Sequence, residues 1–369
     1  MQEAYIPIIY PSSHAANLVL LANGDILCAY YSGRWENASD LAIAVARLRH
    51  GSNRWTAPEN ADHETGYAFQ NPVLFQSPEG PVWLFHTSQK EQAGEALAEI
   101  YRQISNDNGY HWSDRKVAIP PSSYDRQPLV VAGSRWLMPM YYTPRGQKKD
   151  VLKDYSAVQI SQDRGETWKP CVVPDSGGLA QPDLVMLRPG RYLMFFRSRF
   201  ADWIYRSTST DACTWTKPEP TQLPNNNASM QAVLLNDGHL VMAFNNTQAK
   251  KNRDNVAGNA ARVPLSVALS TDGGKTWPWV RDIEAGNLTL EPPVPNKISG
   301  VVLTQHEKDE FNDHLNTYEY PAILQAKDGR IYVAYSYHRR TIKCVNFEES
   351  WIKQGGTIGI FKGDKIAGR

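Results

Sequence analysis

The chain has 369 residues, of which 41% are hydrophobic and 21% charged, and its formal net charge is +1. This composition provides enough apolar material for a packed core and excludes an intrinsically disordered chain. A charge near zero gives no support for a nucleic-acid-binding stripe or a basic membrane-binding surface, so neither partner is expected. No apolar stretch approaches the roughly 18 residues needed to cross a bilayer.

The N-terminal residues bear on the cellular compartment, and the spacing of the four cysteines bears on a possible zinc site. Residues 1–9 contain neither a basic segment nor a long apolar one, which favours a cytoplasmic protein, or a periplasmic or secreted one if a leader was removed. The cysteines are far apart and form no CxxC pair, so no structural zinc site is indicated. Cys28 and Cys344 lie in apolar runs and are expected to be buried thiols. No calcium-ligand spacing is present, so we expect neither a metal nor a cofactor.

Six apolar runs, each ending at a glycine, follow one another along the chain. After each glycine comes a second run typical of a strand, and no helical-period window of useful length competes. Six copies predict an all-β fold, a six-bladed β-propeller of four-stranded blades that forms a single domain over residues 1–369. Two polar tracts, 245–261 and 291–312, are expected to be long surface loops. The six runs are 16–24, 72–80, 128–133, 182–190, 231–238 and 321–329.

A second repeat has the form Ser-x-Asp-x-Gly-x-x-Trp. It occurs at 105–112, 161–168 and 270–277, with a shortened copy at 209–215 and a weaker one at 50–55. The Asp and Ser side chains can bind backbone groups of a tight turn, and glycine permits a positive φ. The tryptophans recur about every 50 to 60 residues, which is about the length of one four-stranded blade. The repeat resembles the Asp-box of sialidase-type propellers, and we assign it a structural role.

Polar residues precede the six inner strands. In a propeller the inner strands converge on the axis, so these positions are expected at the mouth of the central channel. A water-filled channel would also explain their polarity. The six residues are His14, Asn71, Gln127, Gln181, Ser229 and Tyr320.

Other positions resemble the active site of the sialidase superfamily. Arg34, six residues before Asp40, is similar to the first-blade segment of that family, and Arg197 ends the second strand of the fourth blade. Arg262 lies eight residues before an Asp-box serine. Tyr320 opens the last inner strand, with Tyr318 as the alternative by register. The resemblance is greatest to bacterial predicted neuraminidases with BNR repeats, and it covers nearly the whole chain.

The resemblance implies a role for each of these residues. Asp40 would be the general acid/base, and Tyr320 the nucleophile in place of the usual carboxylate. Arg197 and Arg262 would together bind the carboxylate of an acidic sugar through charge-assisted bonds. Arg34 would contact a ring substituent. Asn71, Gln127 and Tyr318 are added as substrate-binding candidates.

Two positions depart from the family pattern. His14 stands where the family has an arginine, and Gln181 where it has the glutamate that activates the tyrosine. A glutamine cannot take a proton from a phenol whose pKa is about 10. Glu319 is not expected to replace that base, because neighbouring residues of a strand point to opposite faces. The segment 338–340 is expected to be a solvated strand end.

Three functions remain open from the sequence. The first is an exo-acting glycoside hydrolase on a terminal sialic-acid-like or uronic-acid-like sugar. The second is a polysaccharide lyase on a uronate, with His14 or Tyr320 as the base, because histidine titrates near neutral pH. The third is a propeller that binds acidic carbohydrate without catalysis.

Overall fold

The structure is a computed structural model that describes residues 1–90, 97–144, 150–249, 258–286 and 304–364. Within these ranges, 25 strands form six antiparallel sheets, and the α-helices are α1 (Gln305–Asp313) and α2 (Glu349–Lys353). The fold class is therefore the predicted six-bladed β-propeller, and the all-β prediction is confirmed. Helix α1 lies in the tract 291–312 that was expected to be a loop, so that expectation is wrong for the helical residues. The remaining parts of the two tracts lie partly outside the described residues.

The chain divides into two compact units, and unit 1 comprises Met1–Pro121 and Gly286–Phe347. It contains three four-stranded sheets: blade 1 (β2–β5), blade 2 (β6–β9) and blade 6, in which β1 pairs with β25. The single-domain expectation stays a prediction. The strands, numbered along the chain, are β1 Gln2–Tyr5, β2 Ser12–Leu20, β3 Ile26–Gly33, β4 Ala42–Leu48, β5 Glu59–Asp62, β6 Tyr67–Gln76, β7 Val82–Lys90, β8 Glu99–Ser105, β9 Lys116–Ile119, β23 Tyr318–Gln325, β24 Ile331–Tyr337 and β25 Thr341–Phe347.

Unit 2 comprises Ser122–Ala285 and Glu348–Arg369. It contains blade 3 (β10–β14), blade 4 (β15–β18) and blade 5 (β19–β22). The strands are β10 Ser123–Tyr124, β11 Val130–Ala132, β12 Arg135–Tyr142, β13 Tyr155–Ser161, β14 Lys169–Val172, β15 Leu179–Arg188, β16 Arg191–Ser198, β17 Trp203–Ser209, β18 Glu219–Pro224, β19 Gln231–Leu234, β20 Leu240–Asn245, β21 Leu265–Ser270 and β22 Trp279–Glu284.

Apolar side chains of neighbouring blades pack against each other within each unit. In unit 1, Leu27 and Ile43 of blade 1 share a buried cluster with Leu74 and Leu84 of blade 2. Burying a leucine stabilises a fold by about 2 kcal/mol, so these inter-blade layers are the main source of stability. The inner hairpins turn at the predicted glycines, all of which have positive φ: Gly24, Gly80, Gly133, Gly190, Gly238 and Gly329.

The Asp-box turns form as the sequence predicts. In the copy at 161–168, Ser161 Oγ donates to Asp163 Oδ1 at 2.8 Å and accepts from the amide of Gly165 at 2.7 Å. Asp163 also accepts from the hydroxyl and the amide of Thr167, and these bonds lower the pKa of Asp163 to about 2. The aspartate is therefore a structural acceptor at neutral pH, as expected.

The shortened Asp-box of blade 4 is linked covalently to blade 3. Cys213 of this turn forms a disulfide with Cys171 of β14, with a Cα–Cα distance of 5.0 Å. Cys28 and Cys344 are buried thiols outside the disulfide, as predicted. Among the described residues, no helix has the length and apolar character required to span a membrane.

Four inner strands share a bulge near their start, in β2, β6, β15 and β23. A bulge places an extra residue in one strand and interrupts the ladder. The residue in the bulge has a positive φ in each case: Ala15 (58°), Asn71 (48°), Gln181 (44°) and Tyr320 (51°).

A polar side chain two residues after the bulge joins neighbouring inner strands within each unit. In unit 1, the Asn17 side chain accepts from the Leu74 amide at 2.9 Å. In unit 2, Asp183 accepts from the Ala232 amide at 2.6 Å. Asn17 and Asp183 each lie two residues after the bulge residue, so the same position makes the same bond in both units.

Candidate active site

The predicted site residues are divided between the two units, and most lie where an inner strand begins. Most are buried, whereas Arg34 is exposed and Asp40 and Arg262 are half-buried. Unit 1 holds His14, Arg34, Asp40, Asn71, Tyr318 and Tyr320, and unit 2 holds Gln127, Gln181, Arg197 and Arg262.

The bulges correct the register used for blade 1. The position matching Asn71, Gln181 and Tyr320 is Ala15, which has the positive φ, and His14 is one residue earlier. His14 therefore corresponds in register to Glu319 rather than to Tyr320. This register could not be predicted, because blade 1 has Ala16 where the other three bulged strands have proline.

The His14 ring lies against the Tyr320 ring, with their centroids 4.3 Å apart. His14 Nδ1 is 2.8 Å from Ser336 Oγ, and its Nε2 is 3.7 Å from Glu319 Oε2. Glu319 is fully buried. The bulge thus brings both Glu319 and Tyr320 to His14, and the expectation that they face opposite sides is wrong, because the alternation of a regular strand does not hold across a bulge.

Arg339 connects blade 6 to the loop after β3. Its guanidinium donates to Glu319 at 3.1 to 3.3 Å and forms a short ion pair with Glu36. Burial favours the neutral form, but the Glu319 and Glu36 carboxylates raise the pKa of Arg339 well above its usual range, so the guanidinium stays charged. Residues 338–340 are all buried, so the expectation of a solvated strand end is wrong.

Tyr318 packs among aromatic rings of blade 6. Its ring contacts those of Tyr335, Tyr337 and His338, and its hydroxyl donates to Asn316 Oδ1 at 3.3 Å. These contacts favour a packing role for Tyr318 and leave Tyr320 as the better nucleophile candidate of the two.

The loop between β3 and β4, residues 34–41, carries Arg34 and Asp40. Asp40 Oδ1 accepts from the Arg34 amide at 3.3 Å. A Cβ at Gly33, just before the loop, would lie 2.8 Å from Leu41 Cδ2 and 3.1 Å from Asp40 Oδ1, so a side chain there would displace Leu41 and crowd Asp40. The Arg34 guanidinium lies 5.4 Å from the Trp35 ring centroid.

In unit 2, Arg197 is buried and held by two amide side chains. Its Nε donates to Asn227 Oδ1 and its Nη1 to Gln181 Oε1, both at 2.9 Å. Asn227 in turn donates to the Gly258 carbonyl and to Asn259 Oδ1. These two acceptors orient the guanidinium and carry no charge of their own. The predicted Gln181 is therefore a direct partner of Arg197.

Arg262 follows this segment and leads into β21. It is half-buried and lies two residues before Pro264, and the Val263–Pro264 peptide bond is cis. Gln127, which is fully buried, donates to the Met230 carbonyl at 2.6 Å and to Ser229 Oγ at 3.3 Å. Gln127 thus joins the segments that precede β11 of blade 3 and β19 of blade 5, a structural contact that the sequence did not indicate.

Two buried acids and an arginine of unit 2 were not among the sequence candidates. Burial raises the pKa of Asp125 to about 8 and that of Asp183 to about 7, while the charge of Arg126 acts on both in the opposite direction. Neither carboxylate oxygen of Asp125 has a hydrogen-bonding side-chain or backbone partner beyond its own residue among the described residues. Asp125 is therefore mainly protonated at neutral pH.

One group of residues in the described part of the chain has spacing that could suit a metal ion, formed by Asp237, His239 and Glu349. His239 Nδ1 lies 3.0 Å from Asp237 and 3.1 Å from Glu349, and Glu349 also pairs with Lys353. These ion pairs account for the cluster, and we assign it no metal.

Six antiparallel sheets and the Asp-box turns define the chain as a six-bladed β-propeller of the sialidase type. Residues 24–333 match the BNR repeat-like domain, and the chain belongs to this family. The predicted resemblance is thereby confirmed. No curated protein is significantly similar to the chain in sequence.

Solved structures show the same fold at low identity. The Hadza microbial sialidase Hz136 is 15% identical to this chain, with a TM-score of 0.68. The match covers 92% of this chain and 66% of that protein, so this chain spans just under two thirds of its length. A Dyadobacter fermentans DSM 18053 protein of unknown function is 16% identical with a TM-score of 0.69 and covers 94% of this chain and 98% of its own. The K499G mutant of NanB sialidase from Streptococcus pneumoniae is 13% identical with a TM-score of 0.67, and the match covers 94% of this chain and 71% of that protein. At these identities the likeness is one of fold.

Proposed function

We propose that the protein is an exo-acting glycoside hydrolase that removes a terminal carboxylated sugar, sialic-acid-like or uronic-acid-like, from a glycan. The observation that carries the proposal is Arg197, a buried guanidinium oriented by the neutral oxygens of Gln181 and Asn227. A guanidinium fixed in this way suits a planar carboxylate, which it can bind through two parallel bonds. Arg262 is the second arginine of this carboxylate site.

The catalytic groups of the proposal belong to unit 1. Asp40 protonates the glycosidic oxygen as the bond to the anomeric carbon breaks, and Tyr320 attacks that carbon to form a glycosyl-enzyme. Water then displaces the tyrosine, with Asp40 accepting its proton. Because Gln181 cannot accept a proton, His14, packed against Tyr320, takes the phenol proton as the tyrosine attacks and returns it when the tyrosine departs. Arg34 contacts a ring substituent, and Asn71 and Gln127 remain substrate-binding candidates.

The lyase alternative is favoured by the same histidine. In that reaction His14 removes the C5 proton of a uronate, the C4–O bond breaks, and a C4=C5 double bond forms. The arginine-bound carboxylate would acidify that C–H bond. The position of His14 between Ser336, Glu319 and Tyr320 is compatible with a base of this kind.

The proposal is tested by incubating the protein with 4-methylumbelliferyl N-acetylneuraminic acid, 4-methylumbelliferyl glucuronide and uronate-containing polysaccharides, followed by mass spectrometry of the products. Hydrolysis adds the mass of water across the bond, whereas elimination yields an unsaturated uronate without water. Asp40→Asn is expected to abolish hydrolysis and retain binding of the free acidic sugar. An Asp40→Asn variant with full activity would contradict the hydrolase.

Arg197→Lys tests the carboxylate site separately. Lysine keeps the charge but cannot make the forked contact, so KM should rise on the order of 10-fold or more. Arg206→Lys is the matched control, because Arg206 lies in the same blade and donates to the Gly274 carbonyl. Equal KM values for the Arg197 and Arg206 variants would show that Arg197 does not bind the substrate.

A further inference from the structure

The loop 34–41 is bound at two adjacent residues, Glu36 and Asn37, by two different blades of unit 1. We propose that Glu36 and Asn37 are positioning residues that hold Asp40 in place, with Arg339 of blade 6 and Gln70 and Gln89 of blade 2 as their anchors. The inference rests on the proposed function in assigning Asp40 the role of the acid.

The blade 6 side of the loop is held by charge. Arg339 Nη1 pairs with Glu36 Oε2, and the Tyr31 hydroxyl donates to Glu36 Oε1 at 3.2 Å. Burial, and then the Glu36 carboxylate, raise the pKa of Tyr31 well above 10, so Tyr31 stays a donor. Arg339 is itself fixed by the buried Glu319. The Arg339 side chain is 10% exposed and that of Glu36 36%, so the pair is less screened by water than one on an open surface.

The blade 2 side is held by amides. Asn37 Oδ1 accepts from Gln70 Nε2 at 3.1 Å and from Gln89 Nε2 at 3.3 Å. Gln89 Nε2 also lies 3.5 Å from Gln70 Oε1. Asn37 has a φ of 67°, a left-handed conformation that asparagine adopts more readily than most residues. The residue type thus suits both the backbone and the anchor.

Because Glu36 and Asn37 are only a few residues from Asp40 in the chain, their contacts restrict the position of Asp40. Asn37 is three residues before Asp40, and Asp40 is tied back to the start of the loop through the Arg34 amide. A shift of about 1 Å in a catalytic group can cost on the order of 100-fold in rate. Loss of either anchor should therefore move the carboxyl away from the leaving oxygen while leaving the β-sheets intact.

Two variants remove the anchors with little change of shape. Glu36→Gln keeps an oxygen for Tyr31 and loses the charge pair, and Asn37→Gly keeps the positive φ and loses the acceptor. Asn37→Asp restores an acceptor and serves as the rescue variant. Glu3→Gln is the control for Glu36, because Glu3 forms a comparable ion pair with Lys343 in unit 1, 2.8 Å long, away from the loop.

The first measurement does not depend on activity. Hydrogen exchange of the amides of residues 35–40, and tryptic cleavage after the exposed Arg34, should both become about 10-fold faster in Glu36→Gln and Asn37→Gly. They should be unchanged in Glu3→Gln and largely restored in Asn37→Asp. Unchanged exchange and cleavage in Glu36→Gln and Asn37→Gly would overturn the inference, whatever the protein hydrolyses.

The second measurement separates the acid from general loss of structure. A misplaced acid matters most for a poor leaving group. In the step up to departure of the leaving group, which kcat/KM reports, the rate on 3'-sialyllactose should therefore fall on the order of 100-fold, and that on the 4-methylumbelliferyl sugar only a few-fold. KM should stay within about 2-fold, since the arginines are untouched. Equal losses on both substrates would overturn the positioning role. A wild-type protein inactive on every acidic glycoside, with faster exchange in the variants, would refute the hydrolase and retain the two anchors of the loop.

Discussion

Asp125 makes the stability of the protein depend on pH in a direction opposite to that of a paired carboxylate. Burial raises the pKa of Asp125 to about 8, whereas an unfolded aspartate has a pKa of about 3.9. Between these values the folded protein keeps a proton that the unfolded chain has released. Stability is therefore greatest at or below pH 4 for this group and is lost as the pH rises towards 8.

The size of the effect follows from the number of protons. One extra proton bound to the folded state lowers stability by about 1.4 kcal/mol for each pH unit. From pH 5 to pH 7 the contribution of Asp125 therefore falls by about 3 kcal/mol. Asp183, whose pKa burial raises to about 7, acts in the same direction. Asp125→Asn removes only the first contribution, because asparagine imitates the protonated acid without titrating.

The assay is urea unfolding followed by tryptophan fluorescence at pH 5, 6 and 7 for the wild type and Asp125→Asn. The variant should be about 1.5 kcal/mol more stable than the wild type at pH 5, because the unfolded wild type has already released its proton there, and this difference should grow by about 3 kcal/mol by pH 7. Asp114→Asn, an exposed acid, is the control and should follow the wild type. Parallel pH profiles for the wild type and Asp125→Asn would refute the reasoning, because the Asp125 carboxyl would then be ionised in the folded state.

Two further predictions concern the joins between blades. Asn17→Ala should destabilise unit 1 by about 1 to 3 kcal/mol, since it leaves a buried amide of blade 2 without its acceptor, and a thermal shift assay with the exposed Asn23→Ala as control measures this. Cys171→Ser, which opens a disulfide spanning 42 residues, should lower the stability of unit 2 by up to about 4 kcal/mol. Reductant should lower the melting temperature of the wild type but not of Cys171→Ser, and equal sensitivity would contradict the bond to Cys213.

The features predicted well from the sequence are those set by local chemistry. An Asp-box is formed by residues of a single turn, as Ser161, Asp163 and Gly165 show, so the motif can be recognised from a short stretch of sequence. The six inner hairpins follow from apolar runs that end at glycine, as at Gly24, where φ is 90°. Counting the six apolar runs predicts the number of blades without knowledge of any long-range contact, and the spacing of the Asp-boxes predicts the length of each blade.

The site was predicted less well because its contacts are distant in sequence. Glu36 and Arg339 are 303 residues apart, and a run of basic residues at a strand end is usually exposed, so no local pattern indicates that Arg339 is buried. The bulges could not be predicted from alternation, because the side-chain alternation of a regular strand does not continue through a bulge. A signal was nevertheless present, since Gln70-Asn71-Pro72 and Glu319-Tyr320-Pro321 each place two polar residues before a proline. Proline lacks the amide that a regular ladder would use there.

The pairing of β1 with β25 sets the time at which blade 6 can be completed during synthesis. Gln2 lies beside Asn346, so β1 cannot pair in this sheet until β25, more than 300 residues later, has been synthesised. At 5 to 20 residues per second, that interval is about 20 to 70 s. During this interval β1 lacks its partner strand β25. Glu3 of β1 provides a charge of the kind that protects an unpaired strand edge from aggregation.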